Sequence, residues 1–163
     1  MARKSVSRAL TQPAPSGIEI SDPRLTQLLA YWEKARGKRR LPARTDIDPV
    51  ALKFLLGHIV LVEVGTAPLH FRIRLQGSEM PWIGGDLTGK SLEQIPSREL
   101  YALAFAALDA TVETRAPQHK IGEEMIADIP RRFEALLLPL GSDGATVNMI
   151  LAAVLCRDDR ARL

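Results

Sequence analysis

Between residues 69 and 76 the apolar Leu69, Phe71, Ile73 and Leu75 alternate without a break with the polar His70, Arg72, Arg74 and Gln76. A period of two belongs to a strand with one face in the core and the other in water. Strands of parallel sheets are buried on both faces and read as continuous apolar runs, so the pattern points to an antiparallel sheet. A partner strand lies just upstream. Ile59, Val60, Leu61, Val62 and Val64 form a run rich in β-branched residues, and Gly65, Thr66, Ala67 and Pro68 turn it into the alternating segment.

Helical patterns flank this hairpin. Asp22 before Pro23 supplies a cap and a favourable first helical position, Leu25, Leu28, Leu29 and Trp32 recur at helical spacing, and Gly37 is a natural stop. Asp48 and Pro49 open a second, shorter helix through Leu52, Phe54, Leu55 and Leu56, ending at Gly57. After the hairpin, residues 77–96 hold four of the eleven glycines and two prolines, a mixture that favours short helical turns and loops. Residues 97–115 read as a long helix with Leu100, Leu103, Ala104, Ala107, Leu108 and Val112 on one stripe. Beyond Pro117 three strands follow, reaching Ile126, spanning 131–140 and spanning 146–155, with Ser142, Asp143 and Gly144 as a hairpin turn. The order gives an α+β domain: a five-stranded antiparallel sheet, helices covering one face, and an additional N-terminal helical segment. The expected boundaries are a loose tail over 1–20, the N-terminal helical segment over 21–57, the core over 58–157 and a short tail over 158–163.

A chain of 163 residues, 46% hydrophobic and 25% charged, suits one globular core and excludes a disordered or disulfide-stapled class. Its formal charge of +3 selects no partner. No apolar run approaches the ~20 residues of a membrane span. Arg3, Lys4 and Arg8 are not followed by the apolar stretch of a secretory signal. With a single cysteine, Cys156, unable to pair within the chain, a cytoplasmic location is expected.

Residues at the joints of this order carry a resemblance. They are Tyr31-Trp32 with Arg36-Gly37, Leu41-Pro42, Asp46-Ile47-Asp48-Pro49, and Phe71-Arg72-Ile73-Arg74-Leu75-Gln76-Gly77. Gly85-Asp86-Leu87-Thr88-Gly89-Lys90-Ser91-Leu92 and Leu138-Pro139-Leu140-Gly141-Ser142-Asp143-Gly144 complete the set. Over residues 22–156 the chain resembles the PAS domain, and more narrowly the short single-domain PAS proteins common in alphaproteobacteria. The resemblance implies a non-catalytic sensory or protein-interaction module whose sheet and helical insert enclose a pocket. It implies short helices near residues 78–83 and after Gly89-Lys90, with Phe71, Ile73, Met80, Trp82, Leu92, Ile95 and Met149 facing the interior. Helices that precede the core in such proteins often build dimers, so Leu25, Leu28, Leu29 and Trp32 are candidate contacts of a homodimer. A plain core at the pocket positions, and a first helix packed within its own domain, are the competing structural readings.

Cofactor chemistry narrows the pocket reading. Haem needs an axial ligand, usually His, and the helical segments between the hairpin and the meander contain none, so haem is disfavoured. A cysteinyl-flavin photosensor needs its cysteine in that same region, whereas Cys156 closes the last strand. No cofactor is predicted, and a small apolar or aromatic molecule remains open, with Trp82, Met80 and the Gly84-Gly85 backbone as candidate lining.

Two rival readings come from other classes. Residues 84–91 run from Gly84 and Gly85 to Gly89, Lys90 and Ser91 and satisfy the phosphate-binding loop pattern of a nucleotide enzyme. That pattern requires a parallel strand before it and an unbroken helix after it, but Pro81 and Pro96 flank it. Lys34, Arg36, Lys38, Arg39, Arg40 and Arg44 form the densest charge run, able to grip nucleic acid or an acidic partner. No helix-turn-helix spacing or stacking platform accompanies it, which disfavours nucleic acid. No convergent acid-base set or metal-spaced His or Cys cluster is visible, because Asp48 suits a helix cap, Asp143 a turn, and Glu123 and Glu124 a polar outer strand. The sequence therefore predicts a cytoplasmic signalling module that is no enzyme, binds no metal or membrane, and switches on a small molecule or a signalling protein.

Overall fold

A computed structural model describes residues 19–126 and 128–158. Most of the tails assigned to 1–20 and 158–163 therefore lies outside the described residues. Helix α1, Pro23–Arg36, begins where the Asp22 carboxylate accepts the Arg24 backbone N–H at 2.9 Å. It stops at Gly37, whose φ of 58° suits a residue without a side chain. The second Asp-Pro start is also real, since Asp48 accepts the Val50 N–H at 2.9 Å, but the segment it opens, Pro49–His58, is a 3₁₀ helix. Leu52 and Leu55, three residues apart, are its buried pair, which matches three residues per turn. The segment runs through His58, one residue past the Gly57 at which the sequence pattern ends it.

Strand β1 spans Ile59–Gly65 and β2 spans His70–Gln76. The insert that follows holds two single 3₁₀ turns, Pro81–Ile83 and Leu92–Gln94. Helix α2, Arg98–Thr114, is capped by Ser97, whose hydroxyl accepts the Leu100 N–H at 3.1 Å. Strands β3, Gln118–Ile126, β4, Ile129–Leu140, and β5, Met149–Asp158, complete one antiparallel sheet in the order β2-β1-β5-β4-β3. This is the expected α+β architecture.

The sheet departs from expectation in being covered on both sides. Along β4, Leu136, Leu137, Leu138 and Leu140 are all buried, as are Ile150, Leu151, Ala152 and Ala153 along β5. Side chains on successive residues point to opposite faces, so these strands carry two buried faces. Helix α2 and the insert lie over one of them, here called inner. Helix α1 packs across β4 on the other, outer face, and the Pro49–His58 turn packs against β5. Two hydrogen-bonded sites fix the outer layer: the Trp32 indole N–H donates to the Pro139 carbonyl at 2.9 Å, and the Glu134 carboxylate accepts the Ser21 and Asp22 N–H groups at 2.6 and 3.1 Å.

This packing corrects the assignment of α1 side chains to a dimer contact. Leu25 and Leu28 are fully buried, and Leu29 and Trp32 nearly so, inside the chain's own core. The opposite, exposed side of the helix is polar and carries Thr26, Gln27 and Lys34.

The alternation of β2 also breaks once. Leu61 pairs with Leu75, but the next residue, Val62, pairs with Ile73, which leaves Arg74 as an extra residue in a β-bulge. The bulge turns Leu75 to the outer face, where it is 45% exposed, and turns Gln76 inward. Neither residue lies on the face that uninterrupted alternation predicts.

Candidate functional site

The inner face does not close completely against its cover. A cavity of about 180 Å³ lies between the sheet, α2 and the insert, and its wall is almost wholly apolar. Val60 and Val62 of β1, Ile73 of β2, Phe133, Ala135 and Leu137 of β4, and Ala152 and Val154 of β5 form its floor. Leu100, Leu103, Ala104, Ala107 and Leu108 of α2 form one side; Met80, Trp82, Ile83, Leu92 and Ile95 of the insert form the other. Lys120, Ile121 and Gly122 of edge strand β3 complete the lining.

Side-chain size explains the hollow. The positions facing it include Ala135, Ala152, Ala104, Ala107 and Gly122, with Val60, Val62 and Val154 beside them. Across the same strands the outer-face positions include Leu61, Leu136, Leu138, Leu140, Leu151 and Leu155, all buried. Small residues on both the sheet and the helix leave a volume that neither covers.

Of the seven residues expected to face the interior, Ile73, Met80, Trp82, Leu92 and Ile95 line this cavity. Phe71 and Met149 do not. Phe71 is buried beyond the cavity, edge-on to Phe105 of α2 with ring centres 5.4 Å apart. Met149 pairs with Glu63 and Leu140, which places it on the outer face with Leu151. Phe133, absent from the sequence-based set, packs against Trp82 at 5.4 Å with the rings tilted by 37°. Its signal is present in the sequence as strand parity, since Phe133, Ala135 and Leu137 share a face.

The insert is tied to the sheet through its backbone. The inward Gln76 side chain donates to the Gly85 carbonyl at 2.9 Å and accepts the Leu87 N–H at 3.0 Å. Ile73 donates to the Lys90 carbonyl at 2.9 Å, and the Gly89 N–H donates to the Ile73 carbonyl at 2.7 Å. The Thr88 N–H goes to the Asp86 carboxylate and the Lys90 N–H to the Leu87 carbonyl. The amides of Leu87, Thr88, Gly89 and Lys90 are therefore engaged within the protein, the sheet is antiparallel, and only a three-residue turn follows. Residues 84–91 form a brace for the cavity wall, which corrects the phosphate-loop alternative.

Other candidate residues have local roles. Asp46 accepts the Ala43 N–H at 2.8 Å and an Arg39 ion pair at 2.9 Å, interactions that hold its carboxyl below the usual range. Asp143 accepts the Thr146 and Ala145 N–H groups at 2.7 and 2.9 Å and is lowered for the same reason. In the basic run, Arg36 meets Glu33, Arg39 also reaches the Ala35 carbonyl, and Arg44 reaches the Ile47 carbonyl. His119 bonds Glu134 at 2.9 Å on the outer face, and His70 bonds the Pro68 carbonyl at 2.8 Å; neither they nor His58 line the cavity. Among the described residues no group of three or more His, Cys, Asp or Glu is placed to hold a metal, and no helix is long and apolar enough to cross a membrane.

Comparison with known proteins places this geometry. The chain aligns with the PAS domain of Bordetella pertussis BvgS over 84% of its length and 90% of that chain, with 14% identity and a TM-score of 0.50. It aligns with a light-oxygen-voltage domain studied with a flavin analogue over 69% of its length and 85% of that chain, with 13% identity and a TM-score of 0.50. At such identities the likeness is one of fold. No protein of curated function matches the sequence. The family assignment comes from the sequence itself: residues 20–155 match the PAS domain family, and the chain belongs to it.

Proposed function

We propose that this PAS domain is a non-catalytic sensory module, working in the cytoplasm, that reads the occupancy of its inner cavity by a small apolar or aromatic molecule. The observation that carries the reading is the hollow itself, about 180 Å³ walled by Met80, Trp82, Phe133 and aliphatic residues. Empty apolar cavities are costly in packing energy, and filling one with a guest of matching shape recovers contacts on every wall. The guest then stabilises the conformation whose hollow fits it, and a protein partner that distinguishes the two populations receives the signal. Helix α2 is the element placed to relay it, since one side lines the cavity while Glu99, Ala102, Ala106 and Glu113 on the other are exposed.

Size limits the guest. Drug-sized ligands, including the three-ring isoalloxazine of a flavin, occupy pockets of roughly 300–1,000 Å³. The insert carries no cysteine for a flavin adduct, and no histidine lines the cavity as a haem ligand. These features favour a guest smaller than either cofactor.

Native mass spectrometry of freshly purified protein tests the reading. A copurified small mass in the wild type, lost from an Ala152→Leu variant that fills the hollow, is the expected result. An empty wild type that also gains no thermal stability from any small apolar compound would overturn it.

A further inference from the structure

Among the described residues the cavity has one charged residue in its lining, and that residue sits at an edge. Lys120 belongs to edge strand β3 and pairs with Ala135 of β4, so it shares the inner face with Ala135 and Gly122. The residue is exposed, in contrast to the buried apolar walls on the other sides. Long lysine stems lie along apolar surface while the ammonium stays in water, which suits a residue at the mouth of a hollow. Among the described residues no carboxylate forms an ion pair with it. Glu124 stands four residues further along the same face, two pleat repeats or about 13 Å away.

We infer that the cavity takes a single-ring aromatic acid, with its ring in the hollow against Trp82 and Phe133 and its anionic group at Lys120. The inference rests on the ligand-sensing reading above and deepens it. Volume sets the ring count, because a dry apolar cavity of ~150 Å³ admits benzene, and about 180 Å³ leaves room for a few further atoms. The tilted Trp82–Phe133 pair sets the preference for an aromatic body. The position of Lys120, the one charged lining residue among the described residues, sets the sign and placement of the polar group, since a carboxylate cannot enter the apolar interior without a partner. The acid is drawn in by its ring and oriented by its charge.

Phenylacetate and its neutral amide, phenylacetamide, separate these contributions when titrated into ligand-freed protein and followed through the backbone amide signals of Ala135 and Ala152. The acid binds about three- to fivefold more tightly than the amide, the size expected of an exposed ion pair. Lys120→Met removes the preference, and Lys120→Arg retains it. Equal binding of acid and amide to the wild type, or a preference that survives Lys120→Met, overturns the assignment of the anion site and leaves the ligand-sensing reading standing. Saturable binding of flavin mononucleotide at the same amides overturns the one-ring limit. Failure of both one-ring probes to shift those amides overturns the aromatic-acid assignment, while the ligand-sensing reading is decided separately by the copurified mass and the thermal shifts.

Discussion

The two faces of one sheet are built to opposite ends. On the outer face, Leu61, Leu136, Leu138, Leu140, Leu151 and Leu155 are buried beneath α1 and the Pro49–His58 turn, with Trp32 filling the space between. On the inner face, the alternate residues of the same strands include Val60, Val62, Ala135, Ala152 and Val154, and a hollow remains under α2. The hydrophobic effect buries both faces, so burial cannot be what separates them. Volume separates them: the outer layer is filled for stability, while the inner layer leaves room for something else.

Trp32→Ala gives the largest effect on this comparison. It empties a buried indole site and leaves the Pro139 carbonyl without its donor, so a loss of about 3–5 kcal/mol is expected in denaturant titrations. A cost below about 1 kcal/mol would show that the outer layer is not the stabilising one.

Adjacent residues of β5 sharpen the contrast. Ala153 is fully buried on the outer face, whereas Ala152 lines the cavity. Ala153→Leu overpacks and should cost about 1–3 kcal/mol. Ala152→Leu, the same change one position earlier, should stay within about 1 kcal/mol of the wild type, because its new atoms enter existing space. Equal costs at the two positions would erase the distinction between a filled and a hollow face. Gln76→Leu comes next, since it leaves the buried-side Leu87 N–H and Gly85 carbonyl without their shared partner. A loss of about 1–2 kcal/mol is expected, together with faster amide exchange in the insert than in α1.

Most of this architecture was legible in residues whose signals are local. Caps at Asp22 and Asp48, the stop at Gly37 and the β-branched run of β1 all act within a few residues, and the structure places them as read. Three features escaped because their causes are distant in sequence. The bulge at Arg74 depends on pairing with β1 and reverses Leu75 and Gln76. The burial of α1 depends on β4, more than a hundred residues away at the Trp32–Pro139 bond. The cavity was legible at Ile73, Met80, Trp82, Leu92 and Ile95, but its floor of Ala135, Ala152 and Val154 looks like ordinary core until opposite strands are aligned.

Acid sensitivity is the smallest effect and bears on which layer loosens first. Asp46 is lowered chiefly by the Ala43 N–H, then by Arg39, and Asp143 by the Thr146 and Ala145 N–H groups. Both stand in connectors of the outer layer, where Arg39 follows α1 and the Gly141 N–H beside the Asp143 turn donates to the Pro42 carbonyl. Asp86, lowered by Thr88, braces the insert under the cavity. Unfolding returns each carboxyl to its ordinary value of 3.8, so the unfolded chain binds more protons than the folded one as that value is approached. The stabilisation is therefore complete above the ordinary carboxylate range and fades as pH falls through it toward the lower folded values. Thermal midpoints should hold steady from neutral pH to about 5 and decline below about 4. Replacing Asp46 and Asp143 together by Asn should flatten that decline more than Asp86→Asn, because two of the three acid-labile contacts hold the outer connectors. A steeper contribution from Asp86 would instead make the insert the first part to loosen, and acid would then open the hollow face before the filled one.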